Sequence, residues 1–79
     1  MSDDETLKIL AENVQRLLEK REWTANRLAI AIDENPINIY RILNREHMPG
    51  VGFVSRLAAG LDTSVDFLLK RAEKISEST

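Results

Sequence analysis

Cysteine is absent and His47 is the single histidine of the chain. Disulfides and thiolate metal sites are therefore excluded, and a His-based metal site or a Ser/His/Asp arrangement has almost nothing to build on. A solvated loop histidine is the simpler reading of His47. No phosphate-cradling glycine loop and no nucleophile–base pairing is visible, so we expect no enzyme activity, no cofactor, no metal and no small-molecule ligand. The residues equipped for chemistry are of a binding kind. Arg41 and Arg45 lie close together on or beside one short predicted helix, and an apolar Ile37 stands among Asn38, Tyr40, Arg41, Asn44 and Arg45. An exposed isoleucine there can meet a thymine methyl in a major groove; the alternative is that it packs against the preceding helix or a partner subunit. Arg27, in the first turn of another helix, is either a solvated arginine or a phosphate contact. Trp23 reads as an anchor at the edge of the core, with ligand stacking as the alternative.

Charge limits this reading without removing it. The formal net charge is −2, awkward for a partner whose affinity comes from neutralised phosphates. Residues 1–22 carry four basic and six acidic side chains, and residues 61–79 carry three basic and four acidic. Residues 23–60 set Arg27, Arg41, Arg45 and Arg56 against Asp33, Glu34 and Glu46, a balance of +1. The expected outcome is a local positive strip on an acidic body, with weak non-specific binding.

The elements that must position these residues are helices. In Leu28–Asn44, Leu28, Ala29 and Ile32 share one face of a first short helix, and Ile39, Ile42 and Leu43 share one face of a second. Asp33 stands where a helix ends in a left-handed residue, Asn35 is a good N-cap, and Pro36 suits the first helical position. Helices so short, joined by so few residues, must cross steeply as a helix-turn-helix. Upstream, Leu7, Leu10, Val14, Leu17, Leu18 and Arg21 follow a helical period over about 4–21, with Lys8, Glu12, Gln15, Arg16 and Glu19 on the wetter side and Asp3, Asp4 and Glu5 at its start. Thr24 caps helix two (about 25–32), with Arg27 where a capping box would want Glu or Gln. Helix three runs from Pro36 to about Asn44, and 46–52 is a loop by its Pro and Gly content. Helix four spans about 52–60 and buries Phe53, Val54, Leu57, Ala58 and Leu61. Asp62-Thr63-Ser64 repeats the turn-and-cap device before helix five, about 65–75, with Val65, Phe67, Leu68, Leu69 and Ala72; Glu77-Ser78-Thr79 should fray. We expect one all-α domain of five helices over 1–79, with the helix-turn-helix at about 24–45. No apolar run approaches membrane-spanning length, and the acidic N-terminus is the reverse of a signal peptide.

The motifs Thr24-Ala25-Asn26-Arg27-Leu28-Ala29, Ile39-Tyr40-Arg41-Ile42-Leu43-Asn44, and Leu57 through Leu69 resemble the Cro/C1-type (lambda-repressor-like, XRE) helix-turn-helix domain over Thr24–Leu69, with helix one fitting upstream. The resemblance implies a five-helix lambda-repressor-like DNA-binding domain. It implies that Asn35 caps the recognition helix and touches a phosphate, and that Pro36, Ile37 and Arg41 read bases with Asn38 and Tyr40 flanking; Thr24 and Arg27 join them as candidate DNA-binding residues at the start of helix two. Asn44 and Arg45 would meet the backbone. Arg41 is the first candidate for specificity, its fork matching guanine O6 and N7; pairing with Glu46 or another acid is the alternative. The chain departs from the family in Ala25 for a phosphate-gripping Gln, Asp33 for a Gly, an added Glu34, Pro36 and Ile37 for hydrogen-bonding readers, and Arg45-Glu46-His47-Met48 for a Gly/Lys/Arg-rich loop.

The implied function is a sequence-specific DNA-binding transcriptional regulator of phage-repressor type, a homodimer placing helix three of each subunit in successive major grooves of a palindromic operator. The candidate dimer interface is Met48, Val51, Phe53 and Phe67. The expected location is the cytoplasm, on the nucleoid of a prokaryotic or phage-infected cell, consistent with the lack of cysteine. The alternative is a protein-binding helical module, antitoxin-like or anti-repressor-like, favoured by Ala25, Glu34 and exposed Ile30 and Ile37.

Overall fold

The computed structural model describes residues 3–71, with side chains from Asp4 onward. Among these it is all helical: α1 (Asp3–Arg21), α2 (Ala25–Ala31), α3 (Pro36–Leu43), α4 (Val51–Gly60) and α5 (Val65–Leu68). Helix starts follow the expected chemistry. The Thr24 hydroxyl accepts from the Arg27 N–H, the Asn35 side chain from the Ile37 N–H, and the Ser64 hydroxyl from the Phe67 N–H. Pro36 opens α3 where its missing N–H has no helical partner to lose. Helix four begins at Val51, one residue earlier than expected, behind Gly50.

The helix ends share one construction. Glu22, Asp33, Arg45 and Asp62 are all left-handed, with φ between 56° and 59°. At each, the next residue's N–H reaches five residues back: Trp23 to Leu18 O, Glu34 to Ala29 O, Glu46 to Arg41 O, Thr63 to Ala58 O. The corner residue's own N–H reaches three back, as Glu22 to Glu19 O and Asp33 to Ile30 O. These are Schellman endings, which satisfy carbonyls that a helix otherwise leaves orphaned. Glycine is the usual occupant of such a corner; here all four are charged residues.

Packing places α1 against α3 and α5, α2 against α3 and α4, and α4 against α5. Leu10, Val14, Leu28, Ile39, Ile42, Leu57, Leu61 and Leu68 are fully buried between them. The expected stripe of α1 is widened by Ile9 and Ala11, both buried. Phe53 is half-buried rather than core, and Phe67 is turned outward.

One expected element is corrected. Helix five stops at Leu68 instead of reaching residue 75. Asn13, 2% exposed and the one buried polar side chain among the described residues, points its Nδ2 at Phe67 O (3.1 Å), Leu68 O (2.7 Å) and Lys70 O (2.8 Å). The carbonyls that a longer helix would spend on later N–H groups are held by α1 instead. Arg16 Nη1 donates to Asn13 Oδ1 at 2.7 Å and fixes the amide's orientation. The expectations for Ala72 and for the end at Glu77–Thr79 lie outside the described residues.

Candidate nucleic-acid interface

α3 is anchored by its inner side and free on its outer one. Ile39 and Ile42 are buried, and Leu43 packs against the same core. Turned the other way, Ile37 is 48% exposed, Tyr40 42%, and Arg41 and Asn44 are exposed as well. Among the described residues Arg41 forms no ion pair. The alternative pairing with Glu46 is not made; what joins these two residues is the backbone bond from Glu46 N–H to Arg41 O, 2.8 Å. One helical turn separates Ile37 from Arg41, so an apolar group and a guanidinium fork share one open face.

The other predicted site residues divide into open and engaged. Thr24 and Asn35 are exposed, and both spend a side-chain oxygen on capping. Pro36 is half-buried. Asn38 is half-buried, and its Nδ2 donates to Glu34 Oε1 at 2.9 Å. Arg45 sits at a left-handed corner with its guanidinium 3.5 Å from the Glu12 carboxylate of α1. Both side chains of that pair are about half exposed, so the charge stays available in water. Arg27 is exposed and lies over the Trp23 ring, 4.6 Å from its centroid. Trp23 itself is half-buried against the core, as expected of an anchor.

Glu34, a second negative charge in the turn, is neutralised locally. Its carboxylate accepts from the Asn38 amide and the Asn35 backbone N–H, and it pairs with the Arg56 guanidinium of α4. The Asn38 bond above all, then the Asn35 N–H and Arg56, hold the carboxyl below its ordinary value. Arg56, which lies 22 residues from Glu34 and also stands over the Phe53 ring at 5.5 Å, was not among the sequence candidates. No local spacing points to such a pair.

The four residues expected at a dimer interface also separate. Met48 and Phe53 pack against the core, whereas Val51 is 80% exposed and Phe67 48%. Ile30 on α2 is 73% exposed. Among the described residues no group of three or more His, Cys, Asp or Glu side chains is placed to hold a metal, and no helix is long and apolar enough to cross a membrane.

No protein-family model matches the chain, and no curated protein matches it in sequence. Among solved structures it is similar to the crystal structure of a hypothetical transcription factor, NHTF, from Neisseria. The TM-score is 0.86 at 14% sequence identity, over 100% of this chain and 91% of that one. At that identity the likeness is one of fold: the same helical arrangement carried by a very different sequence.

Proposed function

We propose that this protein is a sequence-specific DNA-binding transcriptional regulator of the Cro/C1 (XRE) type, not an enzyme. The observation that carries the reading is the outer face of α3, where Ile37, Tyr40 and an unpaired Arg41 project from a helix locked at its back by Ile39 and Ile42. A rigid helix presenting a fork and an apolar tip fits a major groove, with Arg41 on guanine O6 and N7 and Ile37 on a thymine methyl. Thr24, Arg27, Asn35, Asn44 and Arg45 flank that face as backbone contacts. The description of the Neisseria neighbour as a transcription factor accords with this.

Tight binding calls for two copies, because one acidic domain of this size reaches few phosphates. Val51 and Phe67 are the apolar groups open to a second subunit, which would put α3 of each copy in successive grooves of a palindromic site. A regulator of this kind works in the cytoplasm, on the nucleoid.

Selecting bound duplexes from a random pool at low salt tests the reading. We expect an enriched palindrome, affinity that falls steeply with salt, and relaxed preference at one base pair of each half-site in Arg41→Ala, a loss of about 1–3 kcal/mol of discrimination there. A pool that yields no enriched duplex, with no gel shift at the lowest salt, overturns it. The exposed Ile30 favours one second reading, a protein-binding module; then Ile37→Asp would abolish capture of a protein and leave nothing to lose on DNA.

A further inference from the structure

Trp23 is the chain's single tryptophan, and it joins α1 to α2 with its ring half-buried on the core. Two guanidinium groups stand over that ring, Arg27 at 4.6 Å from the centroid and Arg21 at 5.4 Å. Both lie within the ~6 Å at which the ring quadrupole attracts a cation. Arg21 is fixed a second time, its Nη2 donating to Leu61 O at 2.7 Å. Arg27 has no such second tie. Among the described residues its guanidinium has no carboxylate partner, and neither does that of Arg21. Two like charges are thus gathered around one aromatic ring, and among the described residues no acid is paired to either. Two neighbouring guanidinium groups of this kind attract an anion.

The ring explains how such an anion would be held. A guanidinium resting on a flat ring keeps its N–H edge open while its long side chain loses part of its freedom beforehand, which lowers the ordering cost of binding. The first helix of a helix-turn-helix crosses the DNA backbone while the second enters the groove, and Arg27 belongs to that first helix. Resting on the DNA reading above, we infer that Trp23 is a positioning residue that holds the Arg27 guanidinium for a DNA backbone phosphate. Arg21 supplies a second fixed positive charge beside it. This assigns a binding role to two residues, Trp23 and Arg21, that sequence spacing left to packing.

The single indole also reports on its own site. The full chain is titrated with a labelled duplex, following label anisotropy for binding and indole emission for the ring, from about 50 to about 200 mM salt. Indole emission is expected to change in step with anisotropy. Arg27→Ala should make the salt slope shallower by about one and weaken binding about eightfold near 0.1 M salt, without altering sequence preference. Trp23→Leu keeps an apolar side chain but no ring face, and should reproduce most of that loss, whereas Trp23→Phe should restore it. A folded Trp23→Leu with the wild-type salt slope overturns the positioning role while leaving duplex binding intact. No anisotropy change with any duplex at the lowest salt overturns the DNA reading itself. Should Trp23→Leu fail to fold, the exposed Arg27 carries the test: Arg27→Lys keeps the charge but loses the planar stack and should bind more weakly than the wild type, whereas wild-type affinity in Arg27→Lys, with or without a loss in Arg27→Ala, overturns the inference.

Discussion

Replacing Asn13 with leucine removes a hydrogen-bonding hub and changes little else. The volume is nearly kept, and the position stays buried between α1 and α5. What is lost is one amide whose two hydrogens serve three carbonyls, at 3.1, 2.7 and 2.8 Å. The Leu68 carbonyl lies in a buried contact and would be left unsatisfied, a cost of about 1–3 kcal/mol. The Phe67 and Lys70 carbonyls are partly buried and can turn to water, so each loses about 0.5–1 kcal/mol. Together the change should cost about 2–5 kcal/mol, a large share of the roughly 4–12 kcal/mol that a 79-residue domain has in all. In thermal unfolding that is a fall of about 10–30 °C. Urea denaturation should show a lower midpoint at an unchanged slope, and hydrogen exchange should rise first in α5. Arg16→Ala, which only releases the amide's orientation, should cost about 1 kcal/mol or less. If Asn13→Leu unfolds within about 0.5 kcal/mol of the wild type, the hub does not hold α5 and the reasoning fails.

Three further outcomes follow from named contacts. Glu22→Gly relieves a left-handed non-glycine residue, and after the added freedom of the unfolded chain it should stabilise the fold by up to about 1 kcal/mol, read as a higher urea midpoint. A Cβ added at Gly60 would stand 2.4 Å from Ile32 Cγ2, a branched methyl with little room to swing. Gly60→Ala should therefore destabilise by about 1–2 kcal/mol despite its better helix propensity, and a double-mutant cycle with Ile32→Ala should show favourable coupling above about 0.5 kcal/mol. Glu34 has a folded pKa below its ordinary 4.5. Its contribution is present above that value and disappears as pH falls through the folded one. Urea midpoints of the wild type should thus drop more steeply below about pH 4.5 than those of Glu34→Gln, and parallel curves would refute the carboxylate's role.

Helix starts were legible in the sequence because their chemistry is local: Thr24, Asn35-Pro36 and Ser64 each act on an N–H two or three residues away. Helix ends were half legible. Asp33 and Asp62 belong to types that tolerate left-handed backbone, but Glu22 and Arg45 do not advertise it, and their corners are closed by backbone bonds that any residue can make. The length of α5 was hidden because its terminus is set by Asn13, 55 residues away from Leu68 in the chain. Ile9 fell outside the expected stripe because α1 is covered on two sides, by α3 and by α5. In the candidate interface, the outward turn of Ile37 and Arg41 could be read from helical spacing alone. The engagement of Asn38 by Glu34, and of Glu34 by Arg56, depends on α4 lying across the turn, and no local pattern encodes that.

The four glycine-free corners separate topology from electrostatics. Each closes through main-chain groups, while Glu22, Asp33, Arg45 and Asp62 extend their side chains into water. Exchanging the three acids for asparagine, which accepts the same backbone twist, would carry the net charge from −2 to +1 without asking the interior to move. The charge that any approaching partner meets can therefore drift over generations, or be retuned by hand, on a scaffold that does not register the change.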